Sequence, residues 1–218
     1  MIERICMVGV FMGGLAAGSA FGGEHGPGRL SAPMVEQDMP HGPWDQEGFE
    51  FTFVMGPFFG PAFGVEGGRE TLDYFGNSFR LGYNLTGIIG DSWYRGCLQF
   101  VGEMFVAEIF ESGGDGGGSI VVGPNALFRY NFMQENWPVV PYVQLGPGLV
   151  YTDTENNAIG SNFGFQLNIG VGLRLMICDK WAVSGEFDWH HMSNAGLAER
   201  NAGSNAAGGQ LGISYFFF

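Results

Sequence analysis

Between residues 163 and 177 the chain alternates without a break. Phe163, Phe165, Leu167, Ile169, Val171, Leu173, Leu175 and Ile177 are separated by Gly164, Gln166, Asn168, Gly170, Gly172, Arg174 and Met176. Successive side chains of a strand point to opposite faces, so this segment has one aliphatic and aromatic face and one largely small or polar face. Strands of soluble proteins seldom alternate for so long, and this one is long enough to cross a bilayer while tilted. A chain built from several such strands is constrained to close its sheet, because hydrocarbon offers no water to an open edge.

Several other segments repeat the pattern. Phe49, Phe51, Phe53, Met55 and Phe59 alternate with Glu50, Thr52, Val54 and Gly56, and Phe79, Leu81, Tyr83 and Leu85 with Arg80, Gly82, Asn84 and Thr86. Residues 120–132 and 142–151 alternate in the same way, and residues 98–109 do so least clearly, with Glu103 and Glu108 on opposite faces. With residues 181–193 and 211–217 the count reaches about eight, which predicts an all-β, eight-stranded antiparallel transmembrane barrel. Composition agrees: Gly contributes 39 residues, aromatics 15% and charged residues only 14%, against about a quarter charged in a soluble domain. Beyond the N-terminus no segment approaches the ~20 apolar residues that a membrane helix needs.

Connections give the direction. Short links are expected after the second, fourth and sixth strands, at Gly90-Asp91-Ser92, Gln134-Glu135-Asn136 and Cys178-Asp179-Lys180, and longer Gly-rich ones after the others. Short periplasmic turns and long external loops then put the end of the seventh strand at the extracellular rim. The closing residues, Leu211-Gly212-Ile213-Ser214-Tyr215-Phe216-Phe217-Phe218, are similar to the aromatic C-terminal signal read by the barrel assembly machinery. Pro57, Pro124, Pro141 and Pro147 fall inside strand patterns, where bulges or strand ends are expected to absorb them.

Residues 1–20 read as a signal peptide: a polar start, an apolar run over residues 5–15 and Gly18-Ser19-Ala20 as a small-residue cleavage site. A short membrane anchor is the alternative, disfavoured by the brevity of the run. Residues 21–46 form a Gly/Pro-rich leader expected to be poorly ordered, and residues 47–218 the barrel. Cys97 and Cys178 remain after cleavage, as a disulfide or, the favoured reading, unlinked. A formal charge of −13 with Lys180 as the single lysine argues against nucleic acid as a partner.

The seventh strand carries the chemistry. Its odd positions are Trp181, Val183, Gly185, Phe187 and Trp189, and then His191 and Ser193. An imidazole and a hydroxyl thus share the lipid-facing side, roughly 6–7 Å apart along the backbone, within reach of the hydrogen bond that activates a serine nucleophile. Two polar groups at a strand end also fit a plain exit from hydrocarbon, and the residues that follow decide between the two.

His191-Met192-Ser193-Asn194-Ala195-Gly196-Leu197, followed by Asn201-Ala202-Gly203, resembles the lipid A 3-O-deacylase (PagL) family, with its His-x-Ser-Asn-Ala motif on the penultimate strand and Asn-x-Gly in the next loop. Tyr151-Thr152-Asp153-Thr154 and the strand over residues 163–174 also look like it. The resemblance implies an outer-membrane serine esterase that removes an ester-linked 3-hydroxyacyl chain from lipid A without a metal or other cofactor. Its partners would be lipopolysaccharide as substrate and the surrounding outer-membrane lipid. It implies Ser193 as nucleophile, His191 as general base and Asn201 as oxyanion donor, helped by Asn194 or backbone N–H groups near Ala195 and Gly196. The family's acid partner of the histidine is a glutamate, whereas this chain has Asn205, with Glu199 the nearest substitute carboxylate.

Glu186, Asp188 and His190 alternate inward, the acids opposite Arg80, Arg129 or Arg174. The acidic loop residues Glu66, Glu70, Asp73, Glu111, Asp115, Asp153 and Glu155 face an anionic substrate, which bridging divalent cations or a substrate with fewer phosphates would reconcile. A non-catalytic barrel with a structural or ligand-binding role, and a phospholipase using the same residues, are the competing readings.

Overall fold

A computed structural model describes residues 42–60, 72–112, 119–135, 137–153 and 160–218. The signal peptide, the leader as far as residue 41, and Glu66, Glu70, Asp115, Asn136, Thr154 and Glu155 lie outside them. The strands are β1 (Phe49–Phe59), β2 (Leu72–Asn84), β3 (Gly96–Ser112), β4 (Ser119–Phe132), β5 (Val139–Thr152), β6 (Phe163–Cys178), β7 (Trp181–Ser193) and β8 (Ser204–Phe217). Each pairs antiparallel with its sequence neighbour, and β8 returns to β1 to close an eight-stranded barrel.

Alternation is what shapes the wall. On β6 the residues from Phe163 to Ile177 at odd positions are exposed, while Arg174 and Gln166 between them are buried. Phe51, Phe79, Phe128, Leu145, Phe187 and Leu211 are likewise exposed on other strands. In water such a surface would be an aggregation site, and in lipid it is the solvated face.

The lumen is filled in layers. Its middle is ionic: Arg80 binds Glu103 at 2.5 Å and Glu186 at 2.7 Å, while Arg129 and Arg174 bind Glu50 at 2.8 and 2.9 Å. Tyr142 Oη donates to Glu186 at 2.6 Å, and Gln210 and Gln144 donate to Asp188 at 2.7 and 3.0 Å. Pairing and hydrogen bonding are what make charges tolerable at this depth. On the long-loop side lies an apolar layer that includes Phe58, Tyr74, Phe105, Ile109 and Met192, and on the short-turn side a second one with Cys97, Val140 and Phe216.

Trp44 belongs to that second layer, packed edge-on against Phe216 at 5.2 Å under the Arg174 guanidinium. Trp44, from the stretch read as leader, is therefore part of the packed barrel, with its indole buried in the mouth. Cys97 and Cys178 are not joined to each other.

Two expectations need correction. The four prolines cause no bulge. Register shifts occur instead at Asp73/Tyr74 and Met176/Cys178. Around Pro57 on the β1–β8 seam, and around Pro124 and Pro147 on the β4–β5 seam, the pairing simply lapses and resumes in the same register. Proline lacks an N–H, so the ladder skips it, and Gly56, Gly123 and Gly146 let the backbones close up there: a Cβ on them would strike Gly209 O, Leu149 O and Ala126 O. The β2–β3 link is also longer than a tight turn. It spans residues 85–95, with a side pairing of Ile89 to Gly96 and Thr86 Oγ1 accepting from Leu98 N at 3.0 Å.

Candidate active site

β7 ends at Ser193, and the register fixes what lies beside each residue there. His191 stands opposite Leu167 of β6 and Asn205 of β8, and Ser193 stands opposite Phe165. Odd positions of β7 and β8 face outward, as the exposure of Val183, Phe187, Leu211 and Ile213 shows. His191, Ser193 and Asn205 are all half-buried on that exterior face, while Met192 between them is fully buried in the lumen.

Side-chain bonding completes the histidine's setting. His191 Nδ1 lies 2.7 Å from Asn205 Oδ1. Because the amide oxygen only accepts, Nδ1 carries the proton, which in a neutral imidazole leaves the lone pair on Nε2. Trp189, two residues earlier on the same face, stacks on the imidazole with ring centroids 5.8 Å apart and planes within 15°. Gly203 lies along the ring edge: a Cβ there would be 3.1 Å from Cε1 and 3.8 Å from Nε2.

The loop between β7 and β8 is organised around Asn194, which is fully buried. Its Oδ1 accepts from Gly196 N at 2.8 Å, its Nδ2 donates to Arg200 O at 2.7 Å, and its backbone N–H donates to Asn201 Oδ1 at 3.0 Å. Such local side-chain to backbone bonds favour turns over continued strand. Ala195 takes φ +52°, a left-handed value uncommon outside glycine, and Gly196 follows at +83°.

Each sequence candidate thus has a place. Ser193, His191 and Asn205 come together on one outward patch, and Asn201, Asn194 and Gly196 form the loop immediately above it. Glu199 is exposed on the same loop, and Asn205 already occupies the Nδ1 side of His191 where a carboxylate partner would bind. Gly196 N–H and the Asn194 carboxamide are engaged inside the loop, whereas Asn201 uses its Oδ1 there.

His190 points into the lumen between Tyr74 Oη and Gln166 Oε1, both at 2.6 Å, and takes no part. Two of the loop acids have structural work: Asp73 accepts from Gly60 N at 2.8 Å and Asp153 from Ile120 N at 2.7 Å. The close approaches of Trp189 and Gly203 to His191 were not read from sequence. Position −2 on the same strand face was the available signal for Trp189, and glycine in the Asn-x-Gly motif for Gly203.

A family model described as Lipid A 3-O-deacylase (PagL) matches residues 75–214, which include the whole patch. Among solved structures the chain is similar to the outer membrane enzyme PagL, at 18% identity over 76% of this chain and 97% of that one, with a TM-score of 0.51. It is similar also to Neisserial surface protein A, at 15% identity over 78% and 97% of the two chains, with a TM-score of 0.50. At these identities the likeness to solved structures is one of fold. No curated protein sequence matches significantly. The family match spans well over half of the sequence and includes the wall and loop just described, so this outer-membrane β-barrel belongs to the lipid A 3-O-deacylase (PagL) family.

Proposed function

We propose that the protein is a serine esterase that releases an ester-linked 3-hydroxyacyl chain from lipid A. The observation that supports this most directly is the His191–Asn205 hydrogen bond on the exterior face, with Ser193 one same-face position further toward the rim. A buried imidazole held this way would serve packing. An imidazole whose Nδ1 is fixed and whose Nε2 is left as a base, on the surface where acylated sugars lie, serves proton transfer.

In the proposed reaction Ser193 Oγ attacks the ester carbonyl carbon while its proton passes to His191 Nε2. The carbonyl oxygen takes the negative charge, and Asn201 Nδ2 is the proposed donor to it, since the loop bonds described use the Oδ1 of Asn201 and engage both the Asn194 carboxamide and the Gly196 N–H. Preorganised donors of this type are typically worth about 3–4 kcal/mol. Collapse breaks the bond to the sugar oxygen, which takes the proton from His191. Water then attacks the acyl-serine ester and gives its proton to His191. The Ser193–acyl bond breaks, the proton returns to Oγ, and the free 3-hydroxy acid leaves. Asn205 keeps the imidazole in one tautomer throughout, as asparagine does in Cys-His-Asn proteases.

Mass spectrometry of lipid A from cells expressing the protein is the test. A species lighter by one 3-hydroxyacyl chain is expected with the natural chain. Its absence with Ser193→Ala and with His191→Ala, each still a folded barrel by heat-modifiable electrophoretic mobility, completes the result. Unchanged lipid A in the presence of the natural chain would overturn the reading. Loss of an acyl chain from glycerophospholipid instead would move the activity to a phospholipase.

A further inference from the structure

We propose that Trp189 is a positioning residue whose indole face holds the positive charge His191 acquires during turnover, in a site whose histidine has a neutral amide for a partner. The inference rests on the esterase reading of the same patch and concerns how that reaction is sustained without a carboxylate at position 205. Protonation of Nε2 creates an imidazolium at the moment of attack, and Asn205 accepts its Nδ1–H without neutralising it. The register surrounds His191 and Trp189 on the outer face with Leu167, Ile169, Asn205 and Ala207, none of them charged. Apart from the Asn205 amide oxygen on the Nδ1 side, what faces the imidazole in that uncharged setting is the π-face of Trp189, parallel to it within 15° and 5.8 Å away between centroids.

The face of an indole carries the negative end of the aromatic quadrupole and attracts a cation within about 6 Å of its centroid, most strongly where water is excluded. Aromatic residues at this depth are expected of any such barrel, where they mark the lipid–water boundary. A boundary role sets no orientation toward a neighbouring ring. The parallel stack is the added feature, and it is built by strand geometry, since residues 189 and 191 are successive outward positions of β7.

Because the charge exists in the transition state and not in the bound ground state, its loss should lower kcat and leave KM unchanged. The experiment measures release of 3-hydroxy acid from lipopolysaccharide by purified full-length protein in detergent micelles. Trp189→Tyr, Trp189→Phe and Trp189→Leu are made in the natural background and again with Asn205→Glu. We expect kcat to fall in that order, with the leucine variant down on the order of tenfold. With a carboxylate at 205 the imidazolium has its own counter-charge, and the same substitutions should cost no more than about twofold.

Equal losses in the two backgrounds would show that Trp189 only packs, and would overturn the inference, as would a leucine variant as fast as the natural chain. Should the leucine variant fail to fold, the tyrosine and phenylalanine variants carry the same comparison on an aromatic side chain. A natural chain that releases no hydroxy acid overturns the esterase reading and this inference together, whereas an active chain with a flat series overturns this one alone.

Discussion

At position 205 a neutral amide stands where the family resemblance implies a carboxylate on a side chain one methylene longer, and the consequence follows from charge. The amide of Asn205 orients His191 through a 2.7 Å hydrogen bond, yet a hydrogen bond to an ionised acceptor is roughly twice as strong as a neutral one. Asn205→Glu should therefore raise kcat by about tenfold, the equivalent of ~1.4 kcal/mol in the barrier. A fall in turnover would show that His191 draws on some other partner. Gly203 makes a second prediction. It has φ +73°, and a Cβ there would press on His191 Cε1. In Gly203→Ala the left-handed backbone costs about 1–2 kcal/mol, and the imidazole has to shift away from its place. Turnover should drop several-fold while the barrel keeps its heat-modifiable mobility, and an undiminished rate would mean that the ring is not held at that edge. The outward placement of His191 and Ser193 was legible from sequence, since parity along a strand follows from counting, whereas that of Asn205 was not, because the last strand was expected over residues 211–217 and β8 begins at Ser204. The bonding around Asn194 was not, because a loop held by side-chain to backbone hydrogen bonds has no period to read.

The strands show the same division between what periodicity reveals and what contacts decide. β6 alternates cleanly because both of its faces are chemically uniform over most of its length. β3 looked weakest from sequence, yet it is a continuous strand from Gly96 to Ser112. Its inward residues change character along the lumen, from Cys97 through Gln99 and Glu103 to Phe105 and Ile109, so an apolar face and an apolar lumen layer overlap and the contrast fades. Prolines misled in the other direction. They suggested bulges or strand ends, whereas around Pro57, Pro124 and Pro147 the structure drops the local pairing and lets the preceding glycine approach the partner strand. This makes a paired prediction on the β1–β8 seam. Gly56→Ala places a methyl group against the Gly209 carbonyl, while a Cβ at Gly209 itself meets nothing within 4 Å. Gly56→Ala should destabilise the barrel by about 1–3 kcal/mol, as overpacking does, and Gly209→Ala should be close to neutral. Urea unfolding in detergent micelles, followed by tryptophan fluorescence, distinguishes them, and equal midpoints would show that the seam is not tightly closed.

Over the whole molecule, the described lumen is a packed core and the chemistry sits on its outer surface. Apolar layers lie at both ends of the ionic middle, with Trp44 and Phe216 on the short-turn side and Phe58, Tyr74 and Phe105 on the other. In the middle, Arg80 is 3% exposed and joins β2 to Glu103 of β3 and Glu186 of β7. An eight-stranded interior is just wide enough for side chains to fill, so purified protein in a planar bilayer should show no stepwise ion conductance. Stable unitary currents would contradict the sealed interior. The same arrangement separates stability from activity. Arg80→Met removes the shared cation and leaves Glu103 and Glu186 buried without it, a loss expected to cost about 3–5 kcal/mol. Unfolding should then require distinctly less urea than in the natural chain. The patch of His191, Ser193 and Asn205 faces the other way, from alternate residues of β7 and β8, and touches this network only through the backbone. Arg80→Met that still folds should therefore hydrolyse lipid A at nearly the natural rate. Ser193→Ala should do the converse, unfolding at the natural urea concentration with no turnover. A folded Arg80→Met protein without activity would mean that the lumen, and not the outer wall alone, sets the geometry of the site.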